Sequence, residues 1–209
     1  MEYKEYKLGE YNIKMLPQHP GSGTVNSHLD EFNRFNSIIN EIKSETPIMI
    51  ELGAFWSLWS IIFRKKYPKG KTIIVEGDLE KLNVGINNLS LNDINNVTYY
   101  HNTIYGEKSN TLFSEDIKDI KLSEIINSII SDKIDLIHMD IQGSEIYAID
   151  DIINLILNNK LSYSIIATHS ESIEYEITNK LKNHNIDYSI IKYEEGKHDG
   201  EIIIKSNNT

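Results

Sequence analysis

Three acidic turns and one histidine carry the chemistry this sequence can offer. The stretch Glu51-Leu-Gly-Ala-Phe-Trp-Ser57 follows the apolar run Ile48–Leu52. A glycine placed just after such a run lets the chain turn sharply and lets a ligand approach the backbone. Phe55 and Ser57 stand where a full G-x-G-x-x-G would repeat its glycines. In Ile73-Ile-Val-Glu-Gly-Asp78, Glu76 lies about two dozen positions beyond Gly53, where a carboxylate accepts hydrogen bonds from ribose hydroxyls. The two turns together point to an adenosine-containing ligand. A third run ends in His138-Met-Asp-Ile-Gln-Gly-Ser-Glu145. Asp140 closes it and can serve as general base, metal ligand or electrostatic partner of a cation. Thr168-His-Ser-Glu171 adds His169, a side chain whose ordinary pKa suits a base near neutrality.

Bulk at the first turn separates two kinds of adenosine ligand. A dinucleotide needs its pyrophosphate against a glycine-rich helix N-terminus. Phe55 and Trp56 would crowd that group, whereas a methionine tail tolerates bulk there. The comparison favours S-adenosylmethionine over a nicotinamide cofactor.

The elements that must position these residues alternate. Ile48–Leu52, Thr72–Glu76, Val97–Asn102, Ile134–Asp140, Tyr163–His169, Asp187–Tyr193 and Gly200–Lys205 read as strands. Helical patterns fall at Trp56–Lys66, Leu79–Leu91, Leu122–Ile130, Glu145–Leu157 and Ser172–His184. Near-continuous Ile, Val and Leu runs mean strands buried on both faces, and the alternation means right-handed βαβ units. The last two strands are joined only by Glu194-Glu-Gly-Lys-His-Asp-Gly200, which implies a terminal hairpin and one antiparallel strand. The expected fold is α/β, a single doubly wound, mostly parallel sheet of about seven strands with a C-terminal β-hairpin. Residues 48–209 form that Rossmann-like domain. Residues 1–47 form a helix and loop extension: Asn26 or Ser27 caps a helix carrying Leu29, Phe32, Phe35, Ile38, Ile39 and Ile42, and the loop Pro17–Thr24 precedes it. Ligands bind outside the carboxyl ends of the strands, so this extension is placed to act as a lid.

Composition narrows the class. The chain has 209 residues, 40% of them apolar, enough for one buried core. It has no cysteine, which excludes disulfides, thiolate catalysis and zinc–cysteine sites. No apolar run is long enough to span a bilayer and the N-terminus lacks the order of a signal peptide, so the expected location is cytoplasmic. The net charge is −10 and the densest basic cluster is Arg64-Lys65-Lys66, which argues against nucleic acid as a partner.

Taken together, Glu51-Leu-Gly-Ala54, Glu76-Gly-Asp78 and Asp140-Ile-Gln-Gly-Ser-Glu145 resemble the motifs of the FkbM family of S-adenosylmethionine-dependent methyltransferases, over roughly Ile48 to His169. Gly77 replaces the family's more usual proline, and Phe55-Trp56 a smaller, more polar pair. The resemblance implies a class I methyltransferase fold and O-methylation of a sugar or other small hydroxyl acceptor. It implies that Glu51, Gly53 and Ala54 line the cofactor and that Glu76 holds its ribose. Phe55, Gly77, Asp140 and Gln142, in the same turns, are expected to bind it too, and Asn102, ending the third strand, to read the adenine edge.

For the transfer itself, Asp140 and His169 are the catalytic candidates. A divalent metal such as magnesium, held by Asp140, His169 and Glu171, is the alternative, although hard cations want more oxygen ligands than these supply. His138 reads as structural, His19 and His28 reach the site only through a lid, and Glu145 reads as an acid complementing a helix dipole. Trp56 and Trp59 share one helical face, and Tyr3, Tyr6 and Tyr11 read as an edge strand rather than a sugar platform. A nucleotide-binding oxidoreductase and a non-catalytic S-adenosylmethionine-binding protein remain as rival readings.

Overall fold

Strands that are apolar at every position must be covered on both sides, and in this protein they are. A computed structural model describes residues 2–17, 25–104, 118–129, 133–192 and 200–206. The central strands are β3 (Ile48–Leu52), β4 (Lys71–Glu76), β5 (Val97–Ile104), β7 (Ile134–Met139) and β8 (Leu161–Thr168). A short β6 (Lys118–Ile120) flanks β5; β9 (Tyr188–Lys192) and β10 (Gly200–Lys205) end the chain. The eight strands order as β6-β5-β4-β3-β7-β8-β10-β9. β3 to β8 run parallel, and β10 inserts antiparallel to both β8 and β9. The order therefore reverses between β3 and β7, and the crevice of a doubly wound sheet lies at the carboxyl ends of those two strands.

Alternation along the strands assigns the faces. Met49, Ile74, Leu136 and Ile165 pack under α1 (Leu29–Glu41), α2 (Leu58–Lys66) and α3 (Leu79–Leu91). Ile50, Leu52, Ile137 and Met139 pack under α4 (Leu122–Ser128), α5 (Glu145–Leu157) and α6 (Glu171–Asn183). Glu51 and His138 belong by position to the first face and are direct partners across the β3–β7 ladder.

The structure corrects four local expectations. An eighth strand, β6, extends the sheet; its three residues, Lys-Asp-Ile, carry no apolar run to announce it. The tyrosine-rich start forms strands, as read, but outside this sheet. Tyr6 and Tyr11 belong to a separate two-stranded hairpin, β1 (Lys4–Leu8) with β2 (Tyr11–Met15), and Tyr3 lies just before it. Tyr11 is buried there, with its ring edge-on to Phe32 and its hydroxyl donating to Asn36 at 3.3 Å. The first helix starts at Leu29 with His28 in the cap position, because Asn26 and Ser27 fall in a 3-10 turn, Val25–His28. Trp56 stands in the turn ahead of α2 rather than on it. The loop at 18–24 with His19, and the turn at 194–199, lie outside the described residues.

Candidate functional site

The turn after β3 is held by its neighbours on both sides. Gly53 N–H and Ala54 N–H both donate to the Val75 carbonyl, at 2.9 and 3.2 Å, and Asp140 N–H donates to the Leu52 carbonyl at 2.9 Å. Gly53 has φ +78°, and a Cβ built on it would stand 1.8 Å from the Asp140 carbonyl oxygen. Only glycine fits between the two strand ends. Phe55 and Ser57 also take positive φ, 32° and 56°. Phe55 is fixed by donating its N–H to Glu76 Oε2 at 3.0 Å, while Glu76 Oε1 accepts the Asp78 N–H at 3.0 Å. Asp78 in turn caps α3, accepting from the Glu80 and Lys81 amides. The turns after β3 and β4 are thus bonded to each other.

Glu51 is buried beneath this turn. Its Oε2 accepts the Ser60 amide at 3.2 Å and the Ser60 hydroxyl, so it satisfies an orphan N–H of α2, whose own cap residue Ser57 makes no side-chain cap. Burial pushes the Glu51 carboxyl up to about 8 despite the Ser60 hydrogen bonds. A neutral acid under the crevice is the result at physiological pH.

Between the turn, α2, α3 and the start of α1 lies a cavity of about 630 Å³. Its lining includes Glu51, Gly53, Ala54, Phe55, Asp140 and Gln142, all expected. It also includes Trp56, Trp59, His28 and His138, together with Asp78, Glu80, Lys81 and Val84 of the α3 region. The His28 ring meets Trp56 and Trp59 edge-on, at 5.5 and 6.5 Å, and its Nδ1 pairs with Glu31 at 2.8 Å. That pairing raises the His28 pKa against the opposing effect of burial. His138 packs between Phe35 and Trp59 with an unpartnered Nδ1, and burial lowers its pKa to about 4. The Trp56 Nε1 is likewise buried without a partner.

The turn after β7 is knotted by Glu145. This fully buried carboxyl accepts the Ile141 amide at 3.2 Å and the Gly143 amide at 2.9 Å. It also takes His169 Nδ1 at 2.9 Å, and His169 Nε2 reaches Asp140 Oδ1 at 3.0 Å. Each ring nitrogen of His169 faces a carboxylate oxygen, which can only accept, and this is the setting of a doubly protonated imidazole. Gln142 Nε2 also lies 2.9 Å from His169 Nε2, the two nitrogens sharing the one Asp140 oxygen. Burial works against the His169 cation, but Asp140 and Glu145 outweigh it and lift the pKa to about 10. Burial also opposes the Asp140 charge; hydrogen bonding and charge from His169, with His138 and Gln142, hold it below its usual value.

Three expectations change accordingly. His169 lies between the Asp140 and Glu145 carboxyls, which favour its protonated form, and it does not line the cavity. Asn102 lies inside β5 and gives its amide to the Lys118 carbonyl at 2.8 Å instead of facing the cavity. Among the described residues no group of three or more His, Asp or Glu side chains is placed to hold a metal ion, so Asp140, His169 and Glu171 form no such centre. Gly77 and Glu76, at the end of β4, are not among the residues that line this cavity; a Cβ on Gly77 would press on the Thr103 methyl at 2.6 Å. Gly85 was not singled out from sequence. A Cβ there would stand 2.5 Å from Ser57 Oγ and 2.6 Å from the Phe55 carbonyl, so this glycine lets α3 press onto the turn. A glycine inside an otherwise helical pattern was its signal.

No family model matches the sequence, and a search of the curated proteins returns no match. Solved structures do match. A precorrin-6y C5,15-methyltransferase from Geobacter metallireducens superposes with a TM-score of 0.58 at 14% identity, over 88% of this chain and 92% of that one. The methyltransferase domain of METTL16 gives 0.60 at 13% identity, over 88% and 69%. A human methyltransferase 10 domain containing protein gives 0.56 at 11% identity, over 88% and 83%. The chain has the class I methyltransferase fold. No helix among the described residues is long and apolar enough to cross a membrane.

Proposed function

We propose that this protein is an S-adenosylmethionine-dependent methyltransferase that O-methylates a hydroxyl on a sugar or other small acceptor, and that it is of the FkbM type. The observation that carries the reading is the cavity at the β3–β7 switch point. Its carboxylates Asp78, Glu80 and Asp140 outnumber Lys81 and His28, while the buried Glu51 and His138 are held in their neutral forms. Such a lining suits a cationic ligand and disfavours the pyrophosphate of a dinucleotide. The three FkbM-like motifs and the fold support the same reading.

S-adenosylmethionine supplies a methyl group activated by its positively charged sulfur. Gly53, Ala54 and Glu51, which line the cavity, would hold the cofactor's methionine side. Glu76, at the adjoining end of β4, would accept from its ribose with the lone pairs left free by the Phe55 and Asp78 amides. Aligning the acceptor oxygen with the methyl carbon provides much of the acceleration in such a displacement. The hydroxyl proton must leave as the new C–O bond forms, and His138 Nδ1 is the group suited to take it. The protonated ether formed at that moment is a strong acid, so a weak imidazole base suffices. His28 lines the same cavity from the start of α1, and on that ground residues 1–47 are assigned a covering role.

The reading is tested by incubating the protein with S-adenosylmethionine and a panel of hydroxylated acceptors, sugars included. S-adenosylhomocysteine release coupled to a methyl mass gain on one acceptor is expected. Transfer to nitrogen alone would overturn the O-methylation part, and steady binding without turnover on any acceptor would favour a binding protein.

A further inference from the structure

Asp140 sits where a charge matters most, and the structure spends three side chains on holding it there. Its Oδ1 takes His169 Nε2 at 3.0 Å and Gln142 Nε2 at 3.1 Å, and those two nitrogens lie 2.9 Å apart. His169 is oriented from behind by Glu145, which has no solvent exposure and is itself fixed by the Ile141 and Gly143 amides. Gln142 and Gly143 adopt positive φ, 54° and 108°, so the turn is wound tightly enough for Glu145 to reach back along it. Asp140 lines the cavity, and its side chain keeps 44% exposure.

We infer that Glu145 and His169 are positioning residues that hold Asp140 as a fixed negative charge on the cavity wall, where it stabilises the cationic cofactor instead of accepting the acceptor's proton. The inference rests on the cofactor reading above and goes beyond it. A carboxylate bonded to an imidazolium is a poor proton acceptor and a good counter-charge. The chain Glu145–His169–Asp140 therefore moves no proton. It keeps one charge in one place, which is what electrostatic preorganisation requires. One consequence concerns turnover: the cofactor arrives with a charged sulfur and leaves as a neutral thioether, so Asp140 favours the substrate form over the product.

The test compares the dissociation constants of S-adenosylmethionine and S-adenosylhomocysteine, which differ by one methyl and one charge, in the wild type and in Asp140→Asn and His169→Gln. Asp140→Asn should raise the ratio of the first constant to the second about tenfold. His169→Gln keeps a donor to Asp140 but loses the cation and the link to Glu145, and should shift the ratio differently from Asp140→Asn. As an independent readout, the ring nitrogens of His169 should give the signature of a doubly protonated imidazole at neutral pH in the wild type and lose it in Asp140→Asn. An unchanged ratio in Asp140→Asn, or a neutral His169 ring in the wild type, would overturn the inference. Failure of the wild type to bind either compound is a different result, and overturns the cofactor reading on which it rests.

Discussion

The backbone carbonyl of Asp140 stands 1.8 Å from the place a Cβ on Gly53 would occupy. The ends of β3 and β7 are therefore in contact through backbone alone, and the crevice between them has one shape. Gly53→Ala adds both this clash and an unfavourable φ. It should destabilise the fold by about 2–4 kcal/mol in urea titration and abolish cofactor binding. A stable variant with normal binding would show that the two turns are not locked together.

Gly85→Ala provides a sign test. In an exposed helix interior that change stabilises by roughly 1 kcal/mol. Here the added methyl meets Ser57 Oγ and the Phe55 carbonyl, at 2.5 and 2.6 Å. A destabilisation of about 1–3 kcal/mol is expected instead. A gain in stability would mean that α3 does not press on the turn.

Glu51 and His138 face each other across the β3–β7 ladder and should tilt the pH dependence of stability in opposite directions. Between the ordinary 6.5 and about 4, the unfolded chain protonates His138 and the folded chain does not. Stability from this group is full above that window and is lost as pH falls through it, by up to about 3 kcal/mol. Glu51 keeps its proton in the folded state up to about 8, against 4.5 when unfolded, so its contribution is lost as pH rises through that span. The two spans overlap and oppose each other between 4.5 and 6.5. Urea midpoints measured across pH should therefore show His138→Leu exposing the fall of stability that Glu51 causes from 4.5 to about 8, and Glu51→Gln exposing the rise that His138 causes from about 4 to 6.5. Curves parallel to wild type would contradict the burial of both groups.

Glu76 both accepts the Phe55 and Asp78 amides and is assigned the ribose. Removing a hydrogen bond to a charged group costs about 1.5–3 kcal/mol, so Glu76→Ala should weaken S-adenosylhomocysteine binding at least tenfold. An unchanged dissociation constant would displace the cofactor from this turn.

The two tryptophans of the chain, Trp56 and Trp59, both line the cavity. Saturating S-adenosylhomocysteine should change their fluorescence with a single binding curve. No change on demonstrated binding would place the ligand elsewhere.

Much of the fold was legible because fully buried parallel strands leave unbroken apolar runs. Ile48–Leu52 and Leu79–Leu91 start and stop where the sequence pattern puts them. β6 and the β1–β2 hairpin were not legible as such, since three mixed residues and a tyrosine-rich start announce no sheet partner. At the site, Gly53 and Asp140 could be read from position after a strand. His28 was legible only as a residue of a covering segment, and Trp59 and Lys81 were not, because they reach the cavity only by packing of α2 and α3. The ion pairs of His169 were not legible for a related reason: its ordinary pKa suits a base, but its two carboxyl partners come from the turn and helix after another strand. Asn102 was read as a strand end, and β5 continues through it to Ile104.

The most direct measurement is calorimetric titration of the purified protein with S-adenosylhomocysteine, beside parallel titrations with NAD and NADP. The account predicts saturable one-to-one binding of S-adenosylhomocysteine and none of either nicotinamide cofactor. Binding of NAD or NADP with no response to S-adenosylhomocysteine would contradict it and leave an oxidoreductase reading on the same fold.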